Sequence, residues 1–126
     1  MAGSPFWGLC MSLTIHLDQE EQRWTLSLQG ELDYSECAAF RMTIDRILKH
    51  APPATVVDLS ELDYLDSSGL GLLLALSKEY TGLGGRLILV TNESVDNILD
   101  LTRLSGIFSC ASTVDEACLM LEDVDD

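Results

Sequence analysis

Polar and apolar side chains alternate from Ser12 to Leu17, break at the polar run Asp18 to Gln22, and alternate again from Trp24 to Gln29. In the second run Trp24, Leu26 and Leu28 share one face, and Thr25, Ser27 and Gln29 share the other. A period of two on either side of a polar turn predicts an antiparallel hairpin with one buried face. Gly30-Glu31-Leu32-Asp33 closes the second strand. Beyond it, Asp33 or Ser35 is placed to cap a helix, since an oxygen there can accept from an unpaired first-turn amide. The apolar positions of that helix, Phe40, Ile44, Ile47 and Leu48, recur at helical spacing, and Pro52-Pro53 forces it to stop.

The pattern then changes to strand, helix, strand. Thr55-Val56-Val57-Asp58-Leu59 is short, β-branched and without clean alternation, as expected of a central strand covered on both sides. Ser67 to Tyr80 reads as a helix with Leu70, Leu73, Leu74 and Ser77 on one face, ended by Gly82 to Gly85. Arg86 to Val90 is the next strand. Ser94 opens a helix carrying Val95, Ile98, Leu99, Leu101 and Thr102, which ends near Ser105-Gly106. Phe108 to Ala111 is a short edge strand, and Thr113 with Glu116 forms a capping box before a last helix with Ala117, Met120 and Leu121 inward. The predicted fold class is α/β: a mixed four- to five-stranded sheet opened by a hairpin, with about four helices packed mainly on one side.

The length, 126 residues, holds one domain, expected over residues 12–121, with a flexible extension at 1–11 and an acidic tail at 122–126. Seven Lys and Arg against 21 Asp and Glu give a net charge of -14, which repels nucleic-acid phosphates and anionic lipid. No apolar run reaches the ~18 residues of a membrane span, so neither nucleic acid nor membrane insertion is expected. Met1 to Cys10 lacks the basic start and apolar middle of a secretory signal, which predicts a soluble, cytoplasmic protein. Cys10, Cys37, Cys110 and Cys118 form no C-x-x-C pair and are expected to be reduced, buried thiols. With His16 and His50 isolated from them, no metal site is expected.

Candidate chemistry is concentrated in Asp63-Tyr64-Leu65-Asp66-Ser67-Ser68-Gly69-Leu70-Gly71, between a buried strand and a helix start. Unpaired amides and the positive end of the helix dipole favour an oxyanion there, so a phosphate on a serine would be at home. The glycines allow close approach of another group. Capping alone also accounts for Asp-Ser-Ser, the residues helix starts favour. Leu74 stands where a dinucleotide fingerprint requires glycine, and there is no Gly-Lys-Ser/Thr, so no nucleotide cofactor is expected. No nucleophile and base are paired in the pattern, and the chain does not read as an enzyme. A receiver domain would need a lysine after a late strand, but Thr91-Asn92 follows Arg86 to Val90 and no lysine occurs after Lys78.

The run Leu65 to Gly71, preceded by Gly30-Glu31-Leu32-Asp33 and followed by Gly84-Gly85 and Leu104-Ser105-Gly106, resembles bacterial anti-sigma factor antagonists of the STAS domain family. The resemblance spans Ser12 to Leu121. It implies a small domain that binds an anti-sigma factor serine kinase and so frees a sigma factor. The kinase would phosphorylate Ser67, or less favourably Ser68, and end the binding; a serine phosphatase would restore it. It also implies a partner-binding surface of Asp33, Asp66, Ser67, Ser68 and Gly69, with Glu31 and Tyr34 beside it. A different role in the same family is a non-phosphorylated scaffold subunit of a stress-sensing complex or of a lipid-transport ABC system.

Overall fold

A computed structural model of the chain describes residues 13–122, in the order β1 (Leu13–Gln19), β2 (Arg23–Leu32), α1 (Cys37–His50), β3 (Ala54–Leu65), α2 (Ser67–Gly82), β4 (Arg86–Val90), α3 (Glu93–Leu101), β5 (Ser109–Ala111) and α4 (Val114–Glu122). The N-terminal extension expected at 1–11, Ser12 and acidic residues 123–126 lie outside the described residues; Glu122, expected to open the tail, is the last residue of α4. The five strands form one mixed sheet in the order β1-β2-β3-β4-β5. Only β1 and β2 pair antiparallel, as the hairpin pattern requires; the other neighbours are parallel.

The two faces of the sheet differ. Leu26, Leu28, Val57, Leu59, Leu87 and Leu89 pack with Phe40, Ile44 and Ile47 of α1, Leu70, Leu73, Leu76 and Tyr80 of α2, and Val95 and Leu99 of α3. On the opposite face Val56, Ile88, Val90 and Ala111 pack against Ala117 of α4. Three helices thus cover one face and the last covers only the β3–β5 half of the other. The far side of the hairpin stays polar, with Thr14, His16, Asp18 and Gln29 exposed. Burying apolar side chains at about 25 cal/mol per Å² drives both layers.

The strand β3 runs to Leu65, six residues past the predicted end at Leu59. Its register against β2 slips twice, between Ser27 and Gln29 and between Gly30 and Glu31, so β3 carries two extra residues. Leu59, Leu62 and Leu65 are all buried at a spacing of three, which bulges permit and a regular pleat does not. Gly30, at φ 101°, supplies the left-handed turn beside the second slip. The bulged carbonyls are held from outside the strand: the Asn92 amide Nδ2 lies 3.3, 3.1 and 2.9 Å from the carbonyls of Leu59, Ser60 and Leu62. Its Oδ1 accepts from Val95 N at 2.8 Å, so Asn92, rather than Ser94, caps α3. In that helix Leu101 and Thr102 point outward instead of inward. In α2 the inward face is Leu70, Leu73, Leu76, Ser77 and Tyr80, while Leu74 is half-buried at its margin.

The helix α1 ends on Ala51, a non-glycine residue in the left-handed conformation at φ 46°, whose amide donates to the Ile47 carbonyl at 2.7 Å. A Cβ in that conformation costs ~1–2 kcal/mol. Ala51→Gly should therefore stabilise the fold by about 0.5–1 kcal/mol, the cost relieved less the extra freedom glycine gives the unfolded chain. A rise in the midpoint of thermal unfolding is expected; an unchanged or lower midpoint would contradict it.

Candidate functional site

In the parallel ladder Leu32 of β2 pairs with Leu65 of β3, so the residues that follow them, Asp33 and Asp66, leave adjacent strands side by side. Asp66 is the N-cap of α2. Its Oδ1 accepts from Gly69 N at 3.0 Å, and Oδ2 accepts from Tyr34 N at 3.1 Å on the other connection. The Asp66 amide donates to the Leu32 carbonyl at 3.2 Å. One carboxylate thus caps the helix and ties it to the loop after β2.

Asp33 is a cap, as its sequence position suggests, though of the short 3-10 turn Tyr34–Glu36 that leads into α1. Its Oδ1 accepts from Ser35 N at 3.0 Å and from Ser35 Oγ at 2.6 Å, so Ser35 donates to the cap and is not one itself. The Cys37 thiol, behind this turn, donates to the Asp33 carbonyl at 3.4 Å. Burial, reinforced by the carboxylates of Asp66 and Asp33 and opposed by Arg41, pushes its pKa up, which keeps it a protonated thiol. Of the other predicted buried thiols, Cys110 and Cys118 are only half-buried, and Cys10 lies outside the described residues.

The helix α2 starts at Ser67, which is exposed; Ser68 is half-buried and Gly69 buried. Gly69 is small out of necessity. A Cβ there would lie 2.6 Å from Leu32 Cγ and 2.9 Å from Leu65 Cδ1. A Cβ on Gly71 would meet nothing within 4 Å. The five residues singled out for partner binding, Asp33, Asp66, Ser67, Ser68 and Gly69, therefore belong to one end of the sheet. Tyr64, paired with Glu31 in the ladder, and Tyr34 add two exposed rings to that end. The sequence places Tyr64 in the candidate segment but assigns it no role, because that stretch reads as a loop and not as the bulged end of β3. Among the described residues no three His, Cys, Asp or Glu come together as a metal site, and no helix is long and apolar enough to cross a membrane.

Residues 14–117 match the STAS domain family model, and the chain belongs to that family. An anti-sigma F factor antagonist of Paenibacillus polymyxa is 28% identical over 117 residues, covering 91% of this chain and 97% of its own. The crystal structure of an anti-sigma factor antagonist from Mycobacterium paratuberculosis superposes with a TM-score of 0.79 at 26% identity, over 89% of this chain and 96% of that one. The unphosphorylated anti-sigma factor antagonist SpoIIAA shares the fold with a TM-score of 0.74 at 24% identity, over 90% and 100%. SpoIIAA has also been solved in a phosphorylated form.

Proposed function

We propose that this chain is an anti-sigma factor antagonist that binds an anti-sigma factor serine kinase, releases a sigma factor, and is switched off by phosphorylation of Ser67. The observation that carries this reading is that Ser67, at the first position of α2, is an exposed residue beside the strand-end residues Asp33 and Asp66. A hydroxyl so placed is open to another macromolecule. Ser68, one position on and half-buried, is the less accessible acceptor. The names of the Paenibacillus and Mycobacterium relatives, matched over 97% and 96% of their own length, support the same role.

Physically, the transfer needs little from this chain. The kinase brings the nucleotide and metal that stabilise charge on the moving phosphoryl group, and this chain presents a hydroxyl on a rigid turn. Asp66 holds that turn through its two backbone hydrogen bonds. A serine phosphatase would need the same exposure to reverse the step.

The test is incubation with the kinase that co-purifies from the protein's own cells, in the presence of ATP, followed by mass spectrometry of the peptide around Ser67. Labelling of Ser67, lost in Ser67→Ala, is the expected result. A co-purifying complex without a kinase, or labelling elsewhere, would overturn the switch and favour a scaffold role.

A further inference from the structure

At the end of the sheet opposite Ser67, Arg23, Ala54 and Arg86 open β2, β3 and β4 and pair in one row, Arg23 with Ala54 and Ala54 with Arg86. Two residues further along β3 and β4, Val56 and Ile88 contact α4, so alternation puts the three side chains on the α4 face. Two arginines thus stand two strand spacings apart, about 10 Å between backbones, across a floor of one methyl group. Each guanidinium has the reach to turn toward the space above Ala54. That space is a cleft of about 570 Å³, also lined by Gln22, Pro53 and Leu121. These are two of the five arginines in a chain with three times as many acids as bases.

Neither guanidinium is fully engaged among the described residues. Arg23 Nε is buried with no hydrogen-bond partner. Arg23 Nη2 lies 3.5 Å from Glu20 Oε1, a long contact to a side chain that is itself 60% exposed. Arg86 Nη1 donates to the Leu121 carbonyl at 3.3 Å, which holds one of its two terminal nitrogens against the end of α4. Glu122 also lines the cleft, and its carboxylate, like that of Glu20, opposes an incoming anion.

We infer that the Arg23–Ala54–Arg86 row forms a second binding site, for a small phosphate-type oxyanion, separate from the Ser67 end. Two arginines on one cleft suit such an ion because each guanidinium N–H fork can meet its oxygens in charge-assisted hydrogen bonds. The small Ala54 side chain leaves it room between the two arginines that line the cleft. Binding would draw Arg23 away from Glu20.

The probe is inorganic phosphate, titrated into the full chain and followed by amide NMR shifts, with sodium chloride at matched ionic strength as the reference. Saturable shifts of Gln22, Arg23, Ala54 and Arg86 are expected, with a dissociation constant on the order of 1 mM. Arg23→Gln should weaken binding about tenfold through loss of its charge-assisted bonds. Glu20→Gln, an exposed change safe for the fold, should strengthen binding by removing the competing carboxylate. Glycerol 3-phosphate in place of phosphate tells the source: equal affinity means the phosphate group alone is read, and tighter binding means an ester whose carbons lie on Pro53 and Leu121. Shifts that chloride reproduces, or that survive Arg23→Gln unchanged, overturn the site.

Discussion

Ser67→Asp is expected to weaken binding of the partner kinase by about a hundredfold or more, a loss near ~3 kcal/mol, while Ser67→Ala binds as the unmodified protein does. The magnitude follows from where the charge goes. Ser67 is exposed in the free chain, so a carboxylate or phosphate there is fully hydrated until a partner covers it. Covering it strips that water, and an uncompensated buried charge costs several kcal/mol. Phosphoserine, with about -1.5 to -2 charges, should act more strongly than aspartate. The neighbouring Asp66 is present whether or not a partner is bound, so its repulsion alone does not set the affinity.

Stability separates this prediction from simple damage. A negative charge in the first turn of a helix gains about 0.3–1 kcal/mol from the unpaired amides and the dipole. The Asp66 carboxylate beside it offsets part of that gain. Ser67→Asp should therefore melt close to the unmodified protein while binding poorly, as seen by calorimetry for both quantities. Binding equal to that of Ser67→Ala would sink the charge switch, and a large fall in melting temperature would show that the loop, rather than the interface, had been disturbed.

The parts of the fold that are legible in the sequence are those governed by local rules. Alternation places Trp24, Leu26 and Leu28 on the buried face of the hairpin, and the apolar run Arg86 to Val90 forms a strand with the bounds its sequence predicts. Thr113 and Glu116 also behave as a capping box: Thr113 Oγ1 accepts from Glu116 N at 3.0 Å, and Glu116 Oε1 accepts from Ser112 N at 2.7 Å. The end of β3 was not legible. Two bulges replace its alternation with a spacing of three, and their cause lies 30 or more positions away in Asn92, whose amide supplies the donors that a regular ladder would have supplied. The continuation of the strand to Leu65 carries Asp66 and Ser67 level with Asp33. Local pattern marks the helix start at Asp66-Ser67-Ser68-Gly69 and the resemblance implies a role for it; only the pairing of β2 with β3 brings Asp33 beside it.

Gly69→Ala is expected to destabilise the fold by about 1–3 kcal/mol, the usual cost of overpacking a filled core. In an ordinary helix the same change would stabilise by up to about 1 kcal/mol. Here the sign reverses because the added carbon overlaps the side chains of Leu32 and Leu65, both buried in the core. The first turn of α2 must then lift away from the sheet, which stretches the Asp66 bonds to Gly69 and Tyr34 together. Gly71→Ala supplies the opposite sign in the same helix, since its added carbon meets open space and should bring the ordinary helical gain. Thermal unfolding should place the two variants on opposite sides of the parent, with Gly69→Ala lower by on the order of 5–10 °C. If both shift the same way, close packing of Gly69 against Leu32 and Leu65 does not hold Ser67 in place. If they diverge but kinase binding falls only in Gly71→Ala, the open face beside Gly71 is part of the docking surface and the buried face of Gly69 is not.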